Sequence, residues 1–117
     1  MVTAQDAFDY MAKVFKKEEA KAYKKTIVIT YNVAGPGGGT WQATIENGEF
    51  KVQPGETISP VTATVNYIDA ECFYKLVTGE MNGIKGYATG KIKFKGSPSV
   101  LQTVGKLFPG KKKAGLT

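Results

Sequence analysis

The groups in this sequence with chemistry to offer are one thiol, Cys72, and a basic set of 16 residues that are all lysine. Histidine is absent, which removes a Ser-His-Asp triad, a Cys-His dyad and a His/Cys zinc site together. Cys72 falls near the start of a predicted helix, where a thiol pKa can be lowered. Without a base beside it, a small buried apolar filler is the better reading. No motif supports lysine, tyrosine or carboxylate chemistry, so the sequence reads as non-enzymatic: no catalytic residue, no metal ligand set and no cofactor.

The glycines at 35–39 invite a phosphate-binding reading, because glycine loops let backbone amides approach an anion. The detail fails. A P-loop needs Gly-Lys-Ser/Thr entering a helix, and the dinucleotide fingerprint needs a third glycine where Thr40 stands. A strand containing Trp41 follows instead, so the cluster reads as a flexible hairpin connector.

Against 10 acidic residues the lysines leave a net charge of +6. Lysine is a flexible point charge, whereas arginine reads guanine edges and clamps phosphates bidentately. The balance therefore permits weak contact with an anionic membrane surface and argues against specific nucleic-acid recognition. Lys91, Lys93 and Lys95, with Lys111 to Lys113, read first as a solvated sheet face and a soluble end, ahead of a lipid or nucleic-acid docking site.

The elements that must carry these residues are legible from periodicity. Over 3–22, Ala4, Phe8, Met11, Ala12 and Phe15 recur at helical spacing with Thr3 as N-cap, predicting one amphipathic helix that covers a core rather than a membrane surface. Residues 26–33 and 40–46 alternate as strands, with Ile27, Ile29, Tyr31 and Val33 on one face of the first and Trp41, Ala43 and Ile45 on one face of the second. Asn47-Gly48 predicts a two-residue turn into a third strand with Phe50 and Val52, completing a meander. Further strands follow at 62–67 and 91–95. Asp69 caps a second helix that stops at Gly79, and Ser97-Pro98 opens a third that Pro109-Gly110 stops.

Strands apolar on one face imply a sheet roofed by helices on one side and wet on the other. Between the second helix and the last strand, residues 81–90 read as a loose glycine-rich segment, and such a roof packs imperfectly enough to leave a cavity. A chain of 117 residues is sized for one domain and buries roughly two-thirds of its unfolded surface without disulfides or metals. The N-terminus does not read as a signal peptide, the apolar stretches are too short to span a bilayer, and a lone cysteine suits a reducing compartment. Cytoplasmic location is the expectation.

The order of elements from about Phe8 to Phe108 resembles the sterol carrier protein 2 (SCP2) family. The likeness is carried by Gly-Thr-Trp-Gln-Ala-Thr-Ile around Trp41, by Asn47-Gly48 before Phe50-Lys51-Val52, and by the terminal helix from Leu101 to Phe108. Most recognisable is Cys72-Phe73-Tyr74-Lys75-Leu76-Val77-Thr78-Gly79-Glu80-Met81-Asn82, followed by Gly90-Lys91-Ile92-Lys93-Phe94-Lys95-Gly96.

The resemblance implies an α+β fold: a five-stranded, mainly antiparallel sheet with helices packed on one face and an apolar tunnel between them. That tunnel would take fatty acids, fatty acyl-CoA, sterols or phospholipids. The expectation is a single domain over 1–110 with a basic flexible tail at 111–117, a free-standing prokaryotic-type member acting as a non-catalytic lipid carrier, monomeric or homodimeric. Ile29, Tyr31, Trp41, Phe73, Leu76, Val77, Met81, Ile84, Tyr87, Val104 and Phe108 are the candidate lining, among which sequence does not separate tunnel wall from ordinary core. Lys24, Lys25, Lys85 or Lys106 are available to a head group, and none is singled out by its neighbours. The rival reading is an accessory protein-interaction module, monomeric or dimeric, serving an acyl-group enzyme.

Overall fold

A computed structural model describes residues 2–108 of the chain. The expected stop at Pro109-Gly110 and the basic tail at 111–117 lie outside the described residues. Five strands, β1 (Ile27–Val33), β2 (Gly39–Glu46), β3 (Glu49–Pro54), β4 (Ala63–Tyr67) and β5 (Ile92–Gly96), form one sheet in the order β3-β2-β1-β4-β5. The first three make the expected antiparallel meander, with Tyr31 opposite Trp41 and Ala43 opposite Val52. Asn47 and Gly48 turn its second hairpin at φ values of 53° and 77°, the left-handed pair that a two-residue hairpin turn requires. β1 then pairs parallel with β4, which pairs antiparallel with β5, so the sheet is mainly antiparallel and the fold is α+β.

The helices are α1 (Ala4–Val14), α2 (Lys17–Lys21), α3 (Ala70–Thr78), α4 (Gly83–Ala88) and α5 (Pro98–Leu107). Their ends are written in the sequence. Thr3 and Asp6 form a reciprocal capping box on α1. The Asp69 carboxylate accepts from the Cys72 amide at 2.7 Å to start α3, and Gly79 ends it at φ 83°. Ser97 and Pro98 open α5.

Three expectations are corrected. The predicted helix over 3–22 breaks at Phe15 and Lys16, where the Lys16 amide donates to the Leu107 carbonyl at 2.9 Å instead of continuing the helical ladder. Phe15 turns inward there to pack on Phe50 and Phe108, with ring centroids 5.7 and 5.1 Å away. Residues 81–90 are not a loose loop, because Asn82 caps Ile84 and Lys85 and holds the short helix α4.

The far face of the sheet is not wet at its centre either. Residues 55–62, crossing from β3 to β4, cover it, and Gln42 is fully buried beneath them. Its amide nitrogen donates to the Thr30 hydroxyl and the Ile58 carbonyl, and its oxygen accepts from the Thr57 and Ile58 amides, all between 2.8 and 3.1 Å.

The glycine connector between β1 and β2 is tethered at both ends. Gly37 accepts from the Ala4 amide at 2.8 Å and Ala34 donates to the Tyr67 carbonyl at 3.1 Å.

Candidate functional site

On the helical face, β1 and β4 present Ile29, Tyr31, Val65 and Tyr67 to α1 and α3. The centre of that interface is closed. Phe8 of α1 touches Tyr31, Trp41 and Phe73 with ring centroids 5.0 to 5.4 Å apart, and Phe73 stacks on Tyr31 at 5.3 Å and Tyr67 at 4.6 Å. A second aromatic group of Phe15, Phe50 and Phe108 closes the β3 side.

The space opens toward the opposite edge. Val65, Tyr67, Ile92 and Phe94 from β4 and β5, Leu76 from α3, Gly83, Ile84 and Tyr87 from α4, and Pro98 and Leu101 from α5 line an apolar groove of about 290 Å³. Period two puts Val65 and Tyr67 on one face of β4 and Ile92 and Phe94 on the same face of β5, where Val65 lies opposite Phe94 and Tyr67 opposite Ile92.

The third wall depends on two glycines. Gly83 and Gly86 are buried on the sheet side of α4, and a Cβ on Gly86 would stand 2.7 Å from Ile92 Cδ1. With no side chain there, a short helix lies directly on β5. Its remaining apolar side chains, Ile84 and Tyr87, are 59 % and 62 % exposed at the groove's rim.

The groove carries no ionised side chain. Tyr67, its one buried hydroxyl-bearing residue, has its pKa pushed well above the ordinary tyrosine range by burial first and by neighbouring Tyr31 second. It therefore stays neutral at physiological pH.

Of the residues expected to line a cavity, Leu76, Ile84 and Tyr87 stand on this groove. Ile29, Tyr31 and Phe73 lie in the closed centre, Trp41 packs on Phe8, and Phe108 belongs to the second aromatic group. Val77, Met81 and Val104 are half-buried against the core. Sequence reasoning missed Val65, Tyr67, Ile92, Phe94, Pro98 and Leu101. The available signal was the inward register of the two strands flanking the glycine-rich segment.

A larger hollow of about 530 Å³ lies beside Val2, Pro36 and the start of α3, but four ionisable side chains, Asp69, Glu71, Lys75 and Glu80, line it. Charged walls of this kind suit an acyl chain less well than the uncharged groove does. Cys72 is buried, its thiol pushed up by burial first and by Asp69 second, so it is a weak nucleophile. Among the described residues no cluster of His, Cys, Asp or Glu could hold a metal, and no helix is long and apolar enough to cross a membrane.

The molecule is thus a small α+β domain whose five-stranded sheet and roofing helices part along one edge into an apolar groove. The family model of the SCP-2 sterol transfer family matches residues 9–109, and the chain belongs to that family. No curated protein sequence matches it.

Among solved structures it is similar to the stereoselective inverting sec-alkylsulfatase Pisa1 from Pseudomonas sp., with a TM-score of 0.79 at 15% identity over 93% of this chain. The chain spans only 17% of that sulfatase. It is also similar to sterol carrier protein 2 from Aedes aegypti in complex with palmitate, with a TM-score of 0.66 at 13% identity over 92% of this chain and 96% of that one. Apo sterol carrier protein 2 from Yarrowia lipolytica matches with a TM-score of 0.58 at 18% identity, over 94% of this chain and 98% of that one.

Proposed function

We propose that this chain is a non-catalytic carrier of fatty acyl lipids, held in the groove between α4, α5 and the β4–β5 edge. The observation that carries the reading is an uncharged apolar groove where sheet and helices part along the β4–β5 edge. The Aedes aegypti protein of the same fold, in complex with palmitate, supports an acyl chain as the guest.

Removal of methylenes from water drives binding at about 0.8 kcal/mol each, so a long chain carries on the order of 10 kcal/mol before association costs. The groove lies at the small end of ligand sites, which run about 300–1,000 Å³, so a long chain requires α4 to move outward. α4 is suited to that: it is one short helix held on β5 through glycines. Cytoplasmic action is part of the reading, supported by a lone thiol that needs no oxidising compartment.

Titration with a fluorescent fatty acid while following emission from Trp41 tests the proposal. Energy transfer should saturate at a single equivalent, and Leu101→Glu should weaken binding by about tenfold or more, the loss of some two methylenes of contact. No saturable transfer at any chain length would return the chain to the rival reading, an accessory interaction module. Native mass spectrometry separates the two independently, since a carrier purified from cells retains heterogeneous lipid mass.

A further inference from the structure

Among the side chains that line the groove, one is both buried and able to form a hydrogen bond. It is Tyr67, 6 % exposed. Its ring stacks on Phe73 of the closed centre with centroids 4.6 Å apart, which places it on the inner wall, whereas Ile84 and Tyr87 stand exposed at the rim.

The buried glutamine and threonines are bonded within the protein. Gln42 donates to the Thr30 hydroxyl at 3.1 Å, and the Thr78 hydroxyl donates to the Tyr74 carbonyl at 3.0 Å. The Tyr67 hydroxyl makes no such bond among the described residues, and yet no fully enclosed side-chain nitrogen or oxygen is left without a partner there. The hydroxyl is therefore not sealed in the core but reaches the groove that its residue lines. Burial keeps it protonated, so it stands ready as a donor.

An ionised carboxylate finds no cation inside this groove and stays in water at the rim. What reaches Tyr67 is then the chain of the guest and not its head group. Plain methylenes cover the hydroxyl and leave it unpaired, whereas a neutral oxygen at that depth accepts its hydrogen bond.

We propose that Tyr67 selects acyl guests that carry a neutral oxygen, as a hydroxyl or a ketone, well along the chain from the carboxyl group. The proposal rests on the groove being a lipid site and narrows which lipids suit it. Chain length still supplies most of the affinity, and the oxygen discriminates between chains of equal length.

Displacement of the fluorescent fatty acid tests it, with octadecanoic acid and its isomeric hydroxy and keto derivatives, substituted from beside the carboxyl group to the far end, as competitors. Affinity across either substituted series should peak at a position remote from the carboxyl group. Tyr67→Phe should lower that peak by roughly tenfold, the cost of a buried oxygen left unpaired, and leave octadecanoic acid unchanged or slightly tighter. Tyr31→Phe, the same change in the closed centre, should leave the peak in place. Circular dichroism checks that each variant is folded, and the position series in the unmodified protein is a test that needs no variant.

Flat series, a peak that Tyr67→Phe leaves standing, or one that Tyr31→Phe abolishes instead would overturn the proposal. So would a folded Tyr67→Phe that loses octadecanoic acid and its derivatives alike, which marks a packing role. Capture of octadecanoic acid with flat series leaves the carrier reading standing and removes the selection alone. No displacement by any of these acids overturns the carrier reading, and the selection falls with it.

Discussion

Gln42 is a polar side chain with no solvent to fall back on, so its stability rests on the bonds it makes to Thr30, Thr57 and Ile58. Truncation takes this partner from two loop amides, a loop carbonyl and a hydroxyl, and Gln42→Ala should cost about 3 kcal/mol in urea unfolding. Fatty acid capture, on the other side of the sheet, should survive. A loss below about 0.5 kcal/mol would mean that water replaces the amide.

Tyr31 and Tyr67 make a complementary case. Their pKa values are raised above the ordinary 10.0 by burial, with Tyr31 also acting on Tyr67, so the unfolded chain gives up these protons more readily than the native one. The stability they contribute is complete below about pH 10 and is lost as pH rises beyond it. Alkaline titration should show a fraction of tyrosinate absorbance that appears only with the loss of far-ultraviolet dichroism, and Tyr31→Phe should reduce that fraction. One smooth tyrosinate curve that runs ahead of unfolding would contradict the assignment.

At the scale of elements, α4 is the part most sensitive to side-chain volume on its buried face. Gly86→Ala should be close to neutral. Its methyl meets the far ends of the Ile92 and Met81 side chains, of which Ile92 Cδ1 at 2.7 Å must shift, and alanine regains about 1 kcal/mol of helix propensity. Gly86→Leu should destabilise by roughly 1–3 kcal/mol by lifting the helix off β5, and should weaken lipid capture with it. Hydrogen exchange should find the amides of 83–89 slowed by bound fatty acid. Equal exchange with and without ligand would argue against a moving α4.

The same element marks where the sequence stops being legible. Strands announced themselves by alternation, and α3 and α5 by Asp69, Gly79 and Ser97-Pro98, because those signals are local. α4 was hidden since its glycines, read alone, signal a loop, and only the proximity of Ile92 explains why they serve a helix. The break at Phe15 and Lys16 depends on Leu107, and the burial of Gln42 on a crossing segment, so neither is written within its own stretch of chain. The groove was half visible for the same reason: Leu76, Ile84 and Tyr87 flank the glycine-rich segment, whereas Pro98 and Leu101 join it only through the fold.

For the described molecule as a whole, one end is a closed aromatic core and the other an apolar groove with no charged side chain in its lining. A carrier so built should bind guests by length and girth more than by head group. Saturated fatty acids of increasing length should gain affinity until the groove and its rim are filled, then plateau. Selectivity dominated by the head group at constant chain length would contradict that expectation.

The bond from the Lys16 amide to the Leu107 carbonyl joins the second helix to the end of the last one. Phe108, beside it, packs on Phe15 and Phe50 at 5.1 and 4.8 Å. During synthesis, then, both of these aromatics lack that cover until α5 has followed them out of the ribosome. A nascent chain halted before α5 therefore carries an exposed aromatic pair that the last helix would cover.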